Sequence, residues 1–140
     1  MANSITATNL QKSYGDIRAV DGVSFYVEEG SLFAFLGPNG AGKSTTIDML
    51  CTSLKPDGGE AVINGYTLGR EDDKIRASIG IVFQNSLLDN LLTVKENLEM
   101  RGSFYPMGKA AFRQSMEEAI ASSGIGEFLT RPYGKLSGGQ

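Results

Sequence analysis

The chain lacks histidine altogether and contains a single cysteine among its 140 residues. Without histidine there is neither an imidazole base nor an imidazole metal ligand, and the lone Cys51 excludes an internal disulfide. No apolar run approaches the roughly 20 residues that a membrane-spanning helix needs. The first residues show neither the basic nor the apolar segment of a secretory signal. These absences predict a globular domain.

Charge and apolar content narrow the class of function. The formal net charge is −3 and 41% of the residues are hydrophobic, which is enough for a core. Disordered chains are poorer in apolar residues, and proteins whose main ligand is nucleic acid usually carry a basic stripe. We therefore expect a folded domain with no nucleic-acid partner.

Glycine is in excess, with 18 residues in 140 against a usual share of about 7%. Residues 32–36 form an apolar run without alternation, which is typical of a strand buried on both faces. Thr93 and Glu96 have the spacing of a capping box at a helix start. Hydrophobic periodicity predicts strands at residues 5–10, 20–28, 32–36, 61–63 and 79–83, and helices at residues 43–53, 71–77, 93–105, 112–120 and 125–129. Strands thus dominate the first 85 residues and helices the following part.

Residues 37–44 read GPNGAGKS and fit the phosphate-binding pattern G-x-x-x-x-G-K-[ST]. Glycines leave successive backbone N–H groups open to a polyphosphate, and the following helix points its first amides at the same anion. Lys43 adds a positive charge for the β- and γ-phosphates, and the Ser44 hydroxyl can complete a Mg²⁺ shell. A plain glycine turn would not need Lys43 and Ser44 at the helix start. The predicted nucleotide-binding residues of this segment are Gly37, Pro38, Asn39, Gly40, Ala41, Gly42, Lys43, Ser44 and Thr45.

Residues 136–140 read LSGGQ, and with the phosphate loop upstream the whole chain resembles the ATPase domain of ABC transporters. Further matching segments are SYG at 13–15, AVDGVSF at 19–25, VFQ at 82–84 and LTVKENL at 92–98. The resemblance implies an α/β fold: a P-loop NTPase core with an incomplete parallel sheet, an antiparallel β subdomain and a helical subdomain. It places the β subdomain and core at about 1–92, the helical subdomain at about 93–135 and the signature at 136–140.

The resemblance also implies roles for single residues. Tyr14 stacks on adenine, while Lys43 and Gln84 act in catalysis. Gln84, with Ser44, approaches Mg²⁺ and can position the attacking water. Tyr14 could instead be an ordinary half-buried aromatic residue, and Gln84 a plain strand cap. The signature residues that contact the ATP of a second domain, in a head-to-tail dimer, are Ser137, Gly138, Gly139 and Gln140.

The function implied by the resemblance is ATP hydrolysis coupled to transport, with ATP and Mg²⁺ as cofactors. The partners are a second such domain and a transmembrane permease, which holds the subunit at the cytoplasmic face of the cell membrane. Residues 84–93, QNSLLDNLLT, resemble the drug- and lipid-exporting branch, so we expect export. The resemblance implies a further motif, a run of four apolar residues followed by Asp-Glu, whose Asp holds Mg²⁺ and whose Glu is catalytic. No such run occurs in the chain. We therefore expect it to be the N-terminal part of a longer domain and inactive alone.

Two other classes stay open. The first is a soluble ABC-class ATPase of the DNA-repair, chromosome-organising or ribosome-associated kind. The DNA-repair and chromosome-organising kinds insert long segments, whereas Lys43 and Ser137 are only 94 positions apart, which favours a transporter. The second class is a non-catalytic nucleotide-binding fragment.

Overall fold

The computed structural model describes residues 2–83 and 86–137. The chain divides into two compact units, Met1–Val82 and Phe83–Gln140. The sequence places the boundary between subdomains later, near residue 92, and that assignment stays a prediction. Within the described ranges, no helix has the length and apolar character required to cross a bilayer.

A four-stranded sheet organises the first unit, and its strand order is β2-β1-β3-β4 with every pair antiparallel. The β3–β4 turn has positive φ at both Asn64 and Gly65, as a two-residue hairpin turn of this hand requires. The strands are β1 (Asn3–Tyr14), β2 (Ile17–Glu28), β3 (Gly58–Ile63) and β4 (Tyr66–Thr67). The predicted antiparallel subdomain is therefore confirmed, and an Asn-Gly pair forms the turn between its last two strands.

Two helices of the first unit, α1 (Lys43–Leu50) and α2 (Asp72–Ser78), contribute to the core beside the sheet. α1 ends earlier than predicted, and Thr52 beyond it has a φ of +61°. Its buried side chains are Thr46, Met49 and Leu50, while Ile47 of the predicted face is 45% exposed. The buried core consists of Ala7, Leu10, Val20, Met49, Leu50, Ala61, Ile63 and Ile75.

Two predicted strands are wrong for the described structure, because residues 32–36 and 79–83 form no strand. In the first run Phe33 and Phe35 pack on Phe25 of β2, with ring centroids 5.4 and 5.1 Å away. Leu32, Ala34 and Leu36 are exposed, Leu32 fully so, and Phe33 is still 43% exposed. A strand buried on both faces needs ladder partners, and none of the described residues pairs with either run. The parallel part of the predicted core therefore stays a prediction.

The second unit is built from α3 (Val94–Gly102) and α4 (Lys109–Ser123), followed by short 3₁₀ turns at Gly126–Phe128 and Tyr133–Lys135. The first two predicted helices of this unit are confirmed, although α3 ends at Gly102 and not near residue 105. The third, predicted at residues 125–129, is only a 3₁₀ turn. A Cβ atom at Gly102 would lie 2.5 Å from the Phe112 ring. The absence of a side chain at Gly102 therefore lets α3 and α4 approach closely.

The start of α3 is fixed by the predicted capping box. The Thr93 hydroxyl accepts from the Glu96 amide at 3.2 Å, and the Glu96 carboxylate accepts from the Thr93 amide at 2.8 Å. The amide and hydroxyl of Thr93 lower the pKa of Glu96 from its ordinary value. Two backbone N–H groups that a helix start would leave unpaired are thereby satisfied.

One turn into α3, the side chain of Asn97 is buried and connects the helix to the loop before it. Its Nδ2 donates to the Asp89 carbonyl at 2.9 Å and the Thr93 carbonyl at 3.1 Å, and its Oδ1 accepts from the Asp89 amide at 2.8 Å. This side chain thus pairs backbone groups of the segment before the helix, including both the amide and the carbonyl of Asp89.

The glycine-rich loop at residues 37–42 of the first unit lies against β2 through Gly42. Gly42 has a φ of +78°, and a Cβ atom there would lie 2.2 Å from the Ala19 carbonyl oxygen and 3.1 Å from a Val20 methyl. Gly40 has a similar φ of +84°, but nothing lies within 4 Å of its Cβ position. A side chain at Gly40 would therefore add backbone strain alone, whereas a side chain at Gly42 would add both backbone strain and a clash with β2.

For this pair of glycines we expect unequal effects of substitution by alanine. Gly40→Ala should lower the free energy of unfolding by about 1–2 kcal/mol, the cost of a left-handed conformation in a non-glycine residue. Gly42→Ala should lower it further, because the new methyl group would overlap the backbone of β2. Urea denaturation of both variants measures the difference. Equal losses would show that the Gly42 contact with β2 is not tight.

For Asn97 we expect the Asn97→Ala variant to lose about 2 kcal/mol or more of stability, since buried backbone groups left without a partner cost roughly 1–3 kcal/mol. Glu99→Ala is the matched control: Glu99 is an exposed residue of the same helix, 3.7 Å from Lys95, and such surface pairs contribute roughly 0–1 kcal/mol. Chemical denaturation monitored by circular dichroism compares the two. A loss in Asn97→Ala no larger than in Glu99→Ala would contradict the account.

Candidate functional site

The N-terminus of α1 is open to an anion. Gly42 occupies the capping position, no side chain caps the helix, and its first turn contains no acidic residue. Residues 37–41 before it are exposed. The first amides of a helix carry partial positive charge and need acceptors. Within the described part of the chain, the loop and helix start thus offer donors that no neighbouring carboxylate neutralises.

Lys43 brings a full positive charge into this loop. Its Nζ donates to the Gly37 carbonyl at 2.8 Å and to the Pro38 carbonyl at 2.6 Å. The Ala41 amide also donates to the Pro38 carbonyl, at 3.3 Å. The loop is therefore curled around the ammonium group, which adds a positive charge beside the loop backbone.

The three hydroxyl side chains after Lys43 differ in their use. Thr46 is buried, and its hydroxyl donates to the Gly42 carbonyl at 2.9 Å, so it stabilises the loop–helix junction. Thr45 is half-buried, whereas Ser44 is exposed in the first turn. Ser44 is thus the hydroxyl that can face a ligand.

A magnesium site in this region would take few protein ligands. No cluster of three or more Cys, Asp or Glu side chains that could hold a metal ion occurs within residues 2–83 and 86–137. Mg²⁺ in nucleotide sites keeps waters and phosphate oxygens as ligands and needs one or two protein oxygens. The exposed Ser44 hydroxyl fits that requirement.

Tyr14 is the last residue of β1, and its side chain is 51% exposed. It pairs with Ile17 across the β1–β2 turn, and Ile17 is two residues from Ala19, which Gly42 contacts. At a rise of about 3.3 Å per residue, the hairpin end lies within about 7 Å of that contact. The structure therefore brings Tyr14 and the phosphate loop to the same end of the hairpin.

The other predicted site residues are in the second unit or outside the described residues. Ser137 follows the Tyr133–Lys135 turn and is exposed. Gln84, Gly138, Gly139 and Gln140 lie outside the described residues, so their predicted roles stay predictions.

One polar cluster near the site was not predicted. Asp57 accepts from the Lys12 ammonium at 2.8 Å and, through its second oxygen, from the Ser13 amide at 2.8 Å. In the sequence Asp57 lies in a Pro-Asp-Gly-Gly segment at residues 56–59. That segment signals a turn, but nothing in it indicates a partner 45 positions away.

Comparison with known proteins gives a family match over most of the chain. The family model described as ABC transporter matches residues 20–140. The daunorubicin/doxorubicin resistance ATP-binding protein DrrA of Streptomyces peucetius is 41% identical over 136 residues, which are 97% of this chain and 41% of that protein. The chain therefore spans about two fifths of the length of this curated relative.

Solved structures give the same result for the fold. The structure of cbiO1 from Clostridium perfringens, part of the ABC transporter complex cbiONQ, has a TM-score of 0.85 and 27% identity. The alignment covers all of this chain and 58% of cbiO1. A dimeric ATP-binding cassette in a post-hydrolysis state with ADP and Pi has a TM-score of 0.76 and 31% identity, covering 97% of this chain and 64% of that one.

The phosphate loop on β2, the exposed Tyr14 beside it and the helical second unit thus occur in a chain whose sequence matches one family model from Val20 onward. Its fold matches solved ATP-binding cassettes along nearly its whole length. We conclude that the chain belongs to the ABC transporter family and corresponds to part of its ATP-binding domain.

Proposed function

We propose that the protein containing this chain is the ATP-binding subunit of an ABC transporter and couples ATP binding and hydrolysis to export. The observation that carries the proposal is the loop at residues 37–42, curled around the Lys43 ammonium at the uncapped start of α1. The relative named for daunorubicin and doxorubicin resistance supports an exporter over an importer.

In this proposal the nucleotide binds to the first unit, along the loop at residues 37–42 and Tyr14. Backbone amides of residues 40–45 bind the phosphates, Lys43 neutralises the β- and γ-phosphates, and the Tyr14 ring stacks on adenine. The exposed face of Tyr14 and its place at the same hairpin end as the Gly42 contact support the stacking role.

Magnesium, when bound, supplies positive charge that stabilises the transferring phosphoryl group. The Ser44 hydroxyl would be its protein ligand in the described part of the site. Gln84 would approach the metal and the attacking water, because its amide both donates and accepts hydrogen bonds. Phosphoryl transfer depends on such positioning more than on covalent chemistry by the protein.

The proposed partners are a second ABC domain and a membrane permease. In a head-to-tail dimer, Ser137, Gly138, Gly139 and Gln140 would contact the ATP held by the partner's phosphate loop. The dimeric cassette with ADP and Pi supports this arrangement. The permease would hold the subunit at the cytoplasmic face of the cell membrane and select the exported molecule.

The experiment that tests the proposal is calorimetry of Mg-ATP binding to Lys43→Ala in the protein as its gene encodes it. Hydrogen bonds to charged groups contribute roughly 1.5–3 kcal/mol, so we expect a loss of ATP affinity of roughly 10- to 150-fold. Lys109→Ala, at an exposed position, is the matched control and should bind as the wild type does. Wild-type ATP affinity in Lys43→Ala would rule out the assigned site.

For Tyr14 we expect a smaller and base-independent effect. Tyr14→Ala should weaken ATP and GTP by similar factors, because stacking contacts the face of the base and not its edges; such stacking contributes roughly 1–3 kcal/mol. Tyr14→Phe should retain most of the affinity. Tyr26→Ala is the control, since Tyr26 is also an exposed tyrosine of the sheet, at 60%. Fluorescence titration with both nucleotides gives the ratio, and a loss confined to ATP would contradict stacking.

A further inference from the structure

A cluster of hydrogen bonds joins β1 to the segment between α1 and β3. The Asp57 carboxylate accepts from the Lys12 ammonium and the Ser13 amide, each at 2.8 Å, and the Asp57 amide donates to the Gln11 carbonyl at 2.9 Å. The same Lys12 ammonium donates to the Lys55 carbonyl at 2.8 Å. Asp57 therefore contacts three consecutive residues of β1 that directly precede Tyr14.

The partners of this cluster are fixed more firmly than in an ordinary surface ion pair. The Lys12 side chain is only 14% exposed, and the Asp57 side chain is 48% exposed. The Lys12 hydrogen bond, and then the Ser13 amide, lower the pKa of Asp57 from its ordinary value, so its carboxylate stays charged at neutral pH. Each group has a backbone partner as well as its ionic partner, which defines a single geometry for the pair.

The Gly42 contact precedes α1 in the chain and the Asp57 cluster follows it, and both involve neighbouring positions of the β1–β2 ladder. Gly42 holds the phosphate loop against Ala19 of β2, and α1 then runs for 8 residues, or about 12 Å at 1.5 Å per residue. The chain leaves α1 and returns to β1 at Asp57, which contacts Ser13, the residue directly before Tyr14. The β1–β2 hairpin is therefore attached to the loop–helix unit both before and after α1.

We propose that Asp57 is a positioning residue for nucleotide binding: with Lys12 it fixes the end of β1, so that Tyr14 keeps its position relative to the phosphate loop. The inference rests on the proposed function, because it requires that the loop binds phosphates and that Tyr14 contacts the base. Tyr14 is the last residue of β1 before the turn at Gly15, which has a φ of +58°, and Asp57 contacts the three residues that precede it. Loss of the Asp57 carboxylate should let Tyr14 move and weaken its contact with the base. Phosphate binding by the phosphate loop should not change.

The test is a double-mutant cycle in the protein as its gene encodes it. Calorimetry measures Mg-ATP binding to the wild type, Asp57→Ala, Tyr14→Ala and the double variant. We expect Asp57→Ala to weaken ATP binding roughly threefold to tenfold, with little further loss when Tyr14 is already alanine, as coupled residues show. Asp73→Ala, which removes the exposed partner of Arg76 on α2, is the matched control and should leave ATP affinity unchanged.

Inorganic tripolyphosphate is the second probe, since it has no base. We expect Asp57→Ala to bind it as the wild type does, whereas Lys43→Ala should bind both ATP and tripolyphosphate more weakly. Asp57→Asn, which keeps the size and one acceptor oxygen, gives the same comparison if thermal melting shows that Asp57→Ala does not fold.

The outcomes separate the two claims. Equal losses for ATP and tripolyphosphate, an undiminished loss in the Tyr14→Ala background, or no loss at all would overturn the positioning role of Asp57. Unchanged binding of both ligands by Lys43→Ala would instead overturn the proposed function itself.

Discussion

The contact between Gly42 and the backbone of β2 is the constraint on which the rest of the site depends. Only a residue without a Cβ atom can have the φ of +78° and lie against the Ala19 carbonyl. That contact sets where α1 begins and which way its first amides point. It also places the loop curled around Lys43 at the same hairpin end as Tyr14. In the proposed function, phosphate and base binding would both follow from this one close approach of two backbones.

The features that could be predicted from the sequence are those whose cause lies within a few residues. The order of glycines before Lys43 and Ser44 defines both a turn and a helix start, and the structure has α1 begin at Lys43. Thr93 and Glu96 are three positions apart, and their mutual capping is present. Asn64 and Gly65 tolerate positive φ, and both adopt it. In each case a local pattern carries the full physical reason for the structure.

The features that could not be predicted depend on partners far along the chain. The apolar run at residues 32–36 has the composition of a buried strand, but a strand needs a ladder partner. None of the described residues forms a ladder with it, and Phe33 and Phe35 pack on the Phe25 ring instead. The Asp57–Lys12 pair joins positions 45 apart, and Asn97 acts through backbone groups of a loop. Hydrophobic periodicity does not indicate such contacts, so these partners can be identified only from the fold.

The measurement that tests the central claim most directly is a crystal structure of the protein with Mg²⁺ and a non-hydrolysable ATP analogue. The account predicts that the β-phosphate lies against the backbone amides of residues 40–45, with the Lys43 ammonium within hydrogen-bond distance of the phosphates and the Tyr14 ring parallel to adenine. Nucleotide bound elsewhere, or phosphates in the loop with the base turned away from Tyr14, would contradict it.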